Sequence, residues 1–222
     1  MADNVFGDPI TDSTLRNMPE YKFKKVISRK DRAAVARSMQ HKHGNDVKVR
    51  HYVEKVAKDS KSHIATLCVV YNATGDTVRY VGSHNWFDGH LAGSPYPISI
   101  ENGQWGGFVH VKPDRRNAGS HGAVVYRGRN QTGSECSQGG HECDWMVTWE
   151  NPYNVKDYHN SVHTQVREKG HFHGDVWGKV WETKSGKRHL VQRDTWNGCV
   201  SSASTGSGHI AVVEAVFTLE HA

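Results

Sequence analysis

From residue 64 to residue 219 the chain is a succession of short β-rich runs, most of them closed by Gly, Asn or Asp. Ile64-Ala65-Thr66-Leu67-Cys68-Val69-Val70-Tyr71 is dense in β-branched and aromatic residues and stops at Asn72-Ala73-Thr74-Gly75-Asp76, a turn signal. Thr77-Val78-Arg79-Tyr80-Val81 then alternates as a half-buried strand does. Runs at residues 96–100, 105–111, 122–126, 144–149, 163–167 and 211–219 continue the series with no helical period among them. Many short strands joined by turns predict a mainly β chain folded as a sandwich or barrel. The 22 glycines suit it, because tight turns need a residue that tolerates positive φ.

The first quarter reads differently. Ser28 with Asp31 three residues on predicts a helix start, Ala33, Ala34, Val35, Ala36 and Met39 follow, and Gly44 can stop the helix. Val49, Tyr52, Val53 and Val56 recur at spacings of three and four, so a second helix is expected from Val47 to about Lys58. Both apolar stripes are narrow, which suits helices lying on a larger body. The expected organisation is a basic helical segment, residues 1–62, packed on a β-sandwich domain, residues 63–222. Residues 21–61 hold 13 Lys or Arg against four acids, while the whole chain is only +5. Such a concentration is either the solvated side of the helices or a surface for anionic lipid or another polyanion. No nucleic-acid reading motif accompanies it, so nucleic acid is set aside as a partner.

Other classes are excluded by what is missing. No apolar stretch approaches the roughly 20 residues that span a bilayer, and residues 1–8 lack the basic start and apolar run of a secretory signal. A cytoplasmic location with reduced cysteines is therefore expected, although Cys136 and Cys143 enclose a loop that oxidation could close. There is no G-x-S-x-G, H-E-x-x-H, phosphate-binding loop or dinucleotide fingerprint, so neither an enzyme nor a cofactor is expected. Gly119-Ser120-His121-Gly122 sets a Ser beside a His, but neighbours on a strand point to opposite faces. The 16 histidines include His171-Phe172-His173, whose imidazoles suit zinc, copper or nickel. A built metal site wants three or four converging ligands, so His171 and His173 stand only as candidates beside the plainer reading of surface histidines.

The aromatic residues are the most informative set. Trp86, Tyr96, Trp105, Tyr126, Trp149, Tyr153, Tyr158, Phe172, Trp177 and Trp181 fall near predicted turns. Amphipathic rings there suit a membrane interface, a sugar face or a caged quaternary ammonium group, against the alternative that they fill the core.

Blocks along the whole chain resemble the plant jasmonate-induced proteins of the 23 kDa class. They are Val5-Phe6-Gly7-Asp8-Pro9-Ile10-Thr11, residues 67–78, Ser94-Pro95-Tyr96-Pro97, Asn102-Gly103-Gln104-Trp105-Gly106, residues 123–128, Cys143-Asp144-Trp145-Met146 and residues 194–201. Residues 103–166 further resemble the centre of the nakanori/actinoporin-like sandwich. Gly119 to Tyr126 is similar to its glycine-rich strand start, and Trp145 to Asn154 to its strand ending in Ser-x-Pro-aromatic-Asp. Tyr158, six residues after Pro152, matches the position of a phosphocholine-pocket tyrosine. Glu150 stands where that pattern has Ser, and Asn154 where it has Asp. The resemblance implies an actinoporin-like β-sandwich with an N-terminal helical pair, made under stress; residues 28–43 carry too many charges for deep insertion, so no pore is expected. It implies binding of a membrane lipid headgroup or glycan by Trp149, Glu150, Pro152, Tyr153 and Tyr158. A protective or storage protein without a ligand and a histidine-based metal binder are the alternatives, and the oligomeric state stays open.

Overall fold

The computed structural model describes residues 4–114, 117–131 and 140–222, and there the β-rich runs form two facing sheets. One holds β1 (Val5–Phe6), β2 (Ala65–Ala73), β4 (His90–Leu91), β6 (Trp105–Val111), β10 (Val191–Trp196), β11 (Cys199–Thr205) and β12 (Ile210–Leu219). Its order is β1-β6-β2-β12-β11-β10, with β4 also on β6. The other holds β3 (Val78–Trp86), β5 (Ser99–Ile100), β7 (Ser120–Arg129), β8 (Glu142–Asn151) and β9 (Ser161–Glu168), ordered β5-β3-β7-β8-β9. All pairings are antiparallel except β12 on β2. The architecture is a mainly β, two-layer sandwich.

Side-chain alternation explains the layers. On β2, Cys68 and Val70 enter the interior with Phe108, Tyr126, Trp145, Trp149 and Phe217. Leu67, Val69 and Tyr71 point the other way and meet the helices. Every residue of β2 is buried, as a continuous apolar run covered on both faces should be. The helical pair is α2 (Arg29–Met39) and α3 (Asn45–Ser60). Val35, Ala36, Val49, Val53 and Ala57 bury its narrow stripes against that sheet. Ser28 and Asp31 form the expected capping box at the start of α2. A short α1 (Asp12–Arg16) precedes them, and β1 pairs with β6, so the N-terminal residues also enter the sheet.

Several elements depart from the sequence expectation. Most strands are longer than expected, and β10, β11 and the helix α4 (Val176–Lys184) were not anticipated. The β10–β11 turn is Asn197-Gly198, with φ of 47° and 76°. An Asn-Gly pair with both φ positive is the strongest short hairpin signal a sequence carries. The parallel pairing of β2 with β12 joins residues too far apart for any local pattern to reveal. Cys136 lies outside the described residues. Cys143 is buried with its sulfur 3.9 Å from that of Cys199, and this contact, with burial, pushes its thiol pKa up.

Arg29 ties α2 to the sandwich. It is only 6% exposed, and its guanidinium donates to the carbonyls of Thr74, Asn130 and Arg129 and lies 3.1 Å from Asp76. Removing it strands buried acceptors, which costs far more than the bonds gained on folding. Arg29→Met is expected to lose about 3 kcal/mol in urea unfolding; unchanged stability would show that water satisfies these carbonyls.

Candidate ligand-binding cleft

The outer face of the five-stranded sheet positions the site. Along β7, His121, Ala123, Val125, Arg127 and Arg129 share that face, because Gly122, Val124 and Tyr126 point inward. Ala123, Val125 and Met146 lie under α4, packed with Phe172 and Val180. Aromatic contacts fix the helix: His84 stacks on Trp177 at 5.0 Å, and Trp86 lies 5.5 Å from Trp181. Past the C-terminal half of α4 the sheet face meets the loop after β8.

There a cleft of about 450 Å³ opens. His121 and Glu150, directly opposite one another on β7 and β8, contribute to its lining from the sheet. Phe87, Trp181 and Ser185 contribute from the α4 side, and Pro152, Tyr153, Asn154 and Tyr158 from the loop after β8. Trp181 is 5.2 Å from Phe87 and 5.7 Å from His121. Glu150 is 6% exposed, whereas Phe87, Tyr153 and Tyr158 are 47%, 41% and 55% exposed. A buried carboxylate thus sits behind a ring of half-exposed aromatics.

The loop is held by local chemistry. Asn154 accepts from the Lys156 amide and donates to Asp157, and its carbonyl accepts from the Tyr158 amide. Asn151 donates to the carbonyls of Ala65 and His209 and ties the end of β8 to the other sheet. Gly119 permits close passage: a Cβ there would lie 2.0 Å from the Asn151 carbonyl oxygen. These contacts preset Pro152, Tyr153 and Tyr158 on one side of the cleft.

The sequence matches the Nakanori-like protein family over residues 6–220. The chain belongs to the Nakanori-like family. A 23 kDa jasmonate-induced protein of Hordeum vulgare is 37% identical over 218 residues, 98% of each chain. A jasmonate-induced protein homolog of Atriplex canescens is 29% identical over 67% of this chain and 76% of its own length. The crystal structure of the lipid binding protein Nakanori superposes with a TM-score of 0.81 at 27% identity, covering 96% of this chain and 99% of its own. The family resemblance read from the sequence and the sandwich it implied are therefore both shown.

Within this Nakanori-like chain, Glu150, Pro152, Tyr153 and Tyr158 come together around the cleft. Trp149 does not. It is 1% exposed, with its indole against the inward face of Gly122, where a Cβ would meet it at 2.5 Å. Strand alternation sends residue 149 inward because it sends residue 150 outward. Phe87, His121 and Trp181 were missed as lining residues, since only the pairing of β3, β7 and α4 brings them to the loop. His171 pairs with Glu168 at 2.9 Å, and His173 is exposed. Among the described residues no three His, Cys, Asp or Glu side chains gather as a metal site, and no helix is long and apolar enough to cross a membrane.

Trp149→Ala should therefore cost about 3–5 kcal/mol of stability, while Tyr158→Ala should stay within about 0.5 kcal/mol. Thermal and urea unfolding of the two variants checks the assignment; similar losses would place Tyr158 in the packed core.

Proposed function

We propose that this protein binds the headgroup of a membrane lipid in the aromatic cleft, with a cationic ammonium end against Glu150 and the rings around it. The observation that carries this reading is the pairing of a buried carboxylate with Phe87, Tyr153 and Tyr158, all half-exposed at one end of the sandwich. A cation over an aromatic face gains about 0.5–2 kcal/mol per contact, more as water is excluded. The carboxylate adds attraction for an ammonium group and repels a phosphate at short range, so it orients the headgroup. Exposed Tyr and Phe suit the water–lipid boundary, where one part of a ring is wet and another apolar. The description of Nakanori as a lipid binding protein supports the same reading, and the jasmonate-induced relatives support a role in a stress response.

Flotation with vesicles of phosphatidylcholine, with and without sphingomyelin, tests the proposal at low and high salt. Binding that survives high salt and falls about tenfold or more in Tyr153→Ala/Tyr158→Ala is expected, since each lost contact is worth roughly a kcal/mol. Equal binding by the variant would remove the cleft as the site. Binding that disappears with salt would transfer the interaction to the basic helices.

A further inference from the structure

We infer that the same sheet face carries a second binding site, an arginine cleft for a small phosphorylated molecule, at the other end of β7. A cavity of about 530 Å³ there is lined by Arg32, Arg79, Arg127 and Arg129, with Asp76 and Glu142. That volume is in the range of clefts that take small molecules. The basic lining lies six to eight residues along β7 from His121, about 20–26 Å at strand rise, with α4 between. It does not depend on the aromatic cleft.

The charge arrangement is not what folding alone would select. Arg79 and Arg127 are direct partners across the β3–β7 ladder, where like charges destabilise the pairing. Arg127 is answered by a two-pronged pair with Asp144, at 2.7 and 2.9 Å. The Arg79 side chain is exposed and makes no hydrogen bond or ion pair among the described residues. The two lining carboxylates are engaged: Asp76 lies 3.0 Å from Arg32 and 3.1 Å from Arg29, and Glu142 lies 2.5 Å from Lys169. Arg32 is further fixed by Asp12 at 2.7 Å and by the Gly75 carbonyl.

A second feature points to the same place. The β3–β7 register slips between Tyr80 and Gly82, so Val81 is an extra residue in the strand, 42% exposed, at the cleft lining. Bulges of this kind bend a strand and re-aim its neighbours next to sites. Guanidinium groups present planar, paired donors that match phosphate oxygens. An anion bridging Arg79 and Arg127 would relieve the repulsion that the free protein carries.

Calorimetry at 0.15 M salt with inositol hexakisphosphate as the soluble probe tests the site. Flotation with phosphatidylcholine vesicles containing phosphatidylinositol 4,5-bisphosphate tests a lipid-borne source. Arg79→Glu should fold with an unchanged or higher Tm, because Arg79 has no partner to lose, and should bind the probe at least tenfold more weakly. Tyr153→Ala/Tyr158→Ala and Lys22→Ala/Lys25→Ala should bind the soluble probe as the parent does. Binding of the soluble probe alone identifies a free phosphorylated molecule, whereas binding of the vesicles identifies a lipid headgroup. No binding of either probe, equal binding by Arg79→Glu, or an equal loss in the Lys22/Lys25 variant would overturn the inference.

Discussion

The indole of Trp149 lies against Gly122 on the neighbouring strand, and the geometry of the outer sheet face follows from that contact. Only glycine leaves room for the ring, so the pair fixes how β7 and β8 align and which of their residues face inward. Once Trp149 is inside, Glu150 must be outside, and its ladder partner there is His121. The same alternation carries Ala123 and Val125 under α4 and brings Arg127 and Arg129 to the far end. One strand thus supplies a core layer on one side, and on the other an aromatic cleft, a helix seat and a basic cleft.

Stability and recognition are in this way divided between faces of single strands. The largest buried rings, Trp105, Trp145, Trp149, Tyr71 and Tyr126, hold the layers together. Rings on the outside either pin α4, as Trp86 and Trp177 do, or stay half-exposed around the cleft, as Phe87, Tyr153 and Tyr158 do. The loop that presents the two tyrosines is restrained by Asn151 and Asn154, so little ordering remains to be done on binding, which favours affinity. The helical pair covers the opposite sheet and leaves the cleft face open.

Much of the fold was legible because local signals and burial agree. Ser28 and Asp31 announced α2, the spacing of Val49, Tyr52, Val53 and Val56 announced α3, and the β-branched runs marked most of the strands. α4 was not legible, since it is only nine residues long and its Trp177 and Trp181 read as loop aromatics. The β10–β11 hairpin had a signal in Asn197-Gly198 that a turn-by-turn reading would have caught. Of the proposed site, Pro152, Tyr153 and Tyr158 lie within seven residues of one another in sequence and could be found by resemblance. Phe87, His121 and Trp181 meet them only through tertiary pairing. Trp149, which the resemblance implied, lies outside the cleft because consecutive residues of a strand point to opposite faces of the sheet.

A headgroup held against Glu150 in the cleft would also come close to Trp181, which lines it beside the tyrosines of the loop after β8. The most direct test follows the tryptophan indole N–H signals by NMR during titration with a choline-headgroup detergent below its micelle concentration. A saturable shift of the Trp181 signal is expected, with those of the buried Trp105, Trp145 and Trp149 unmoved. A titration that leaves Trp181 unchanged, or that shifts all seven indoles together, would contradict it.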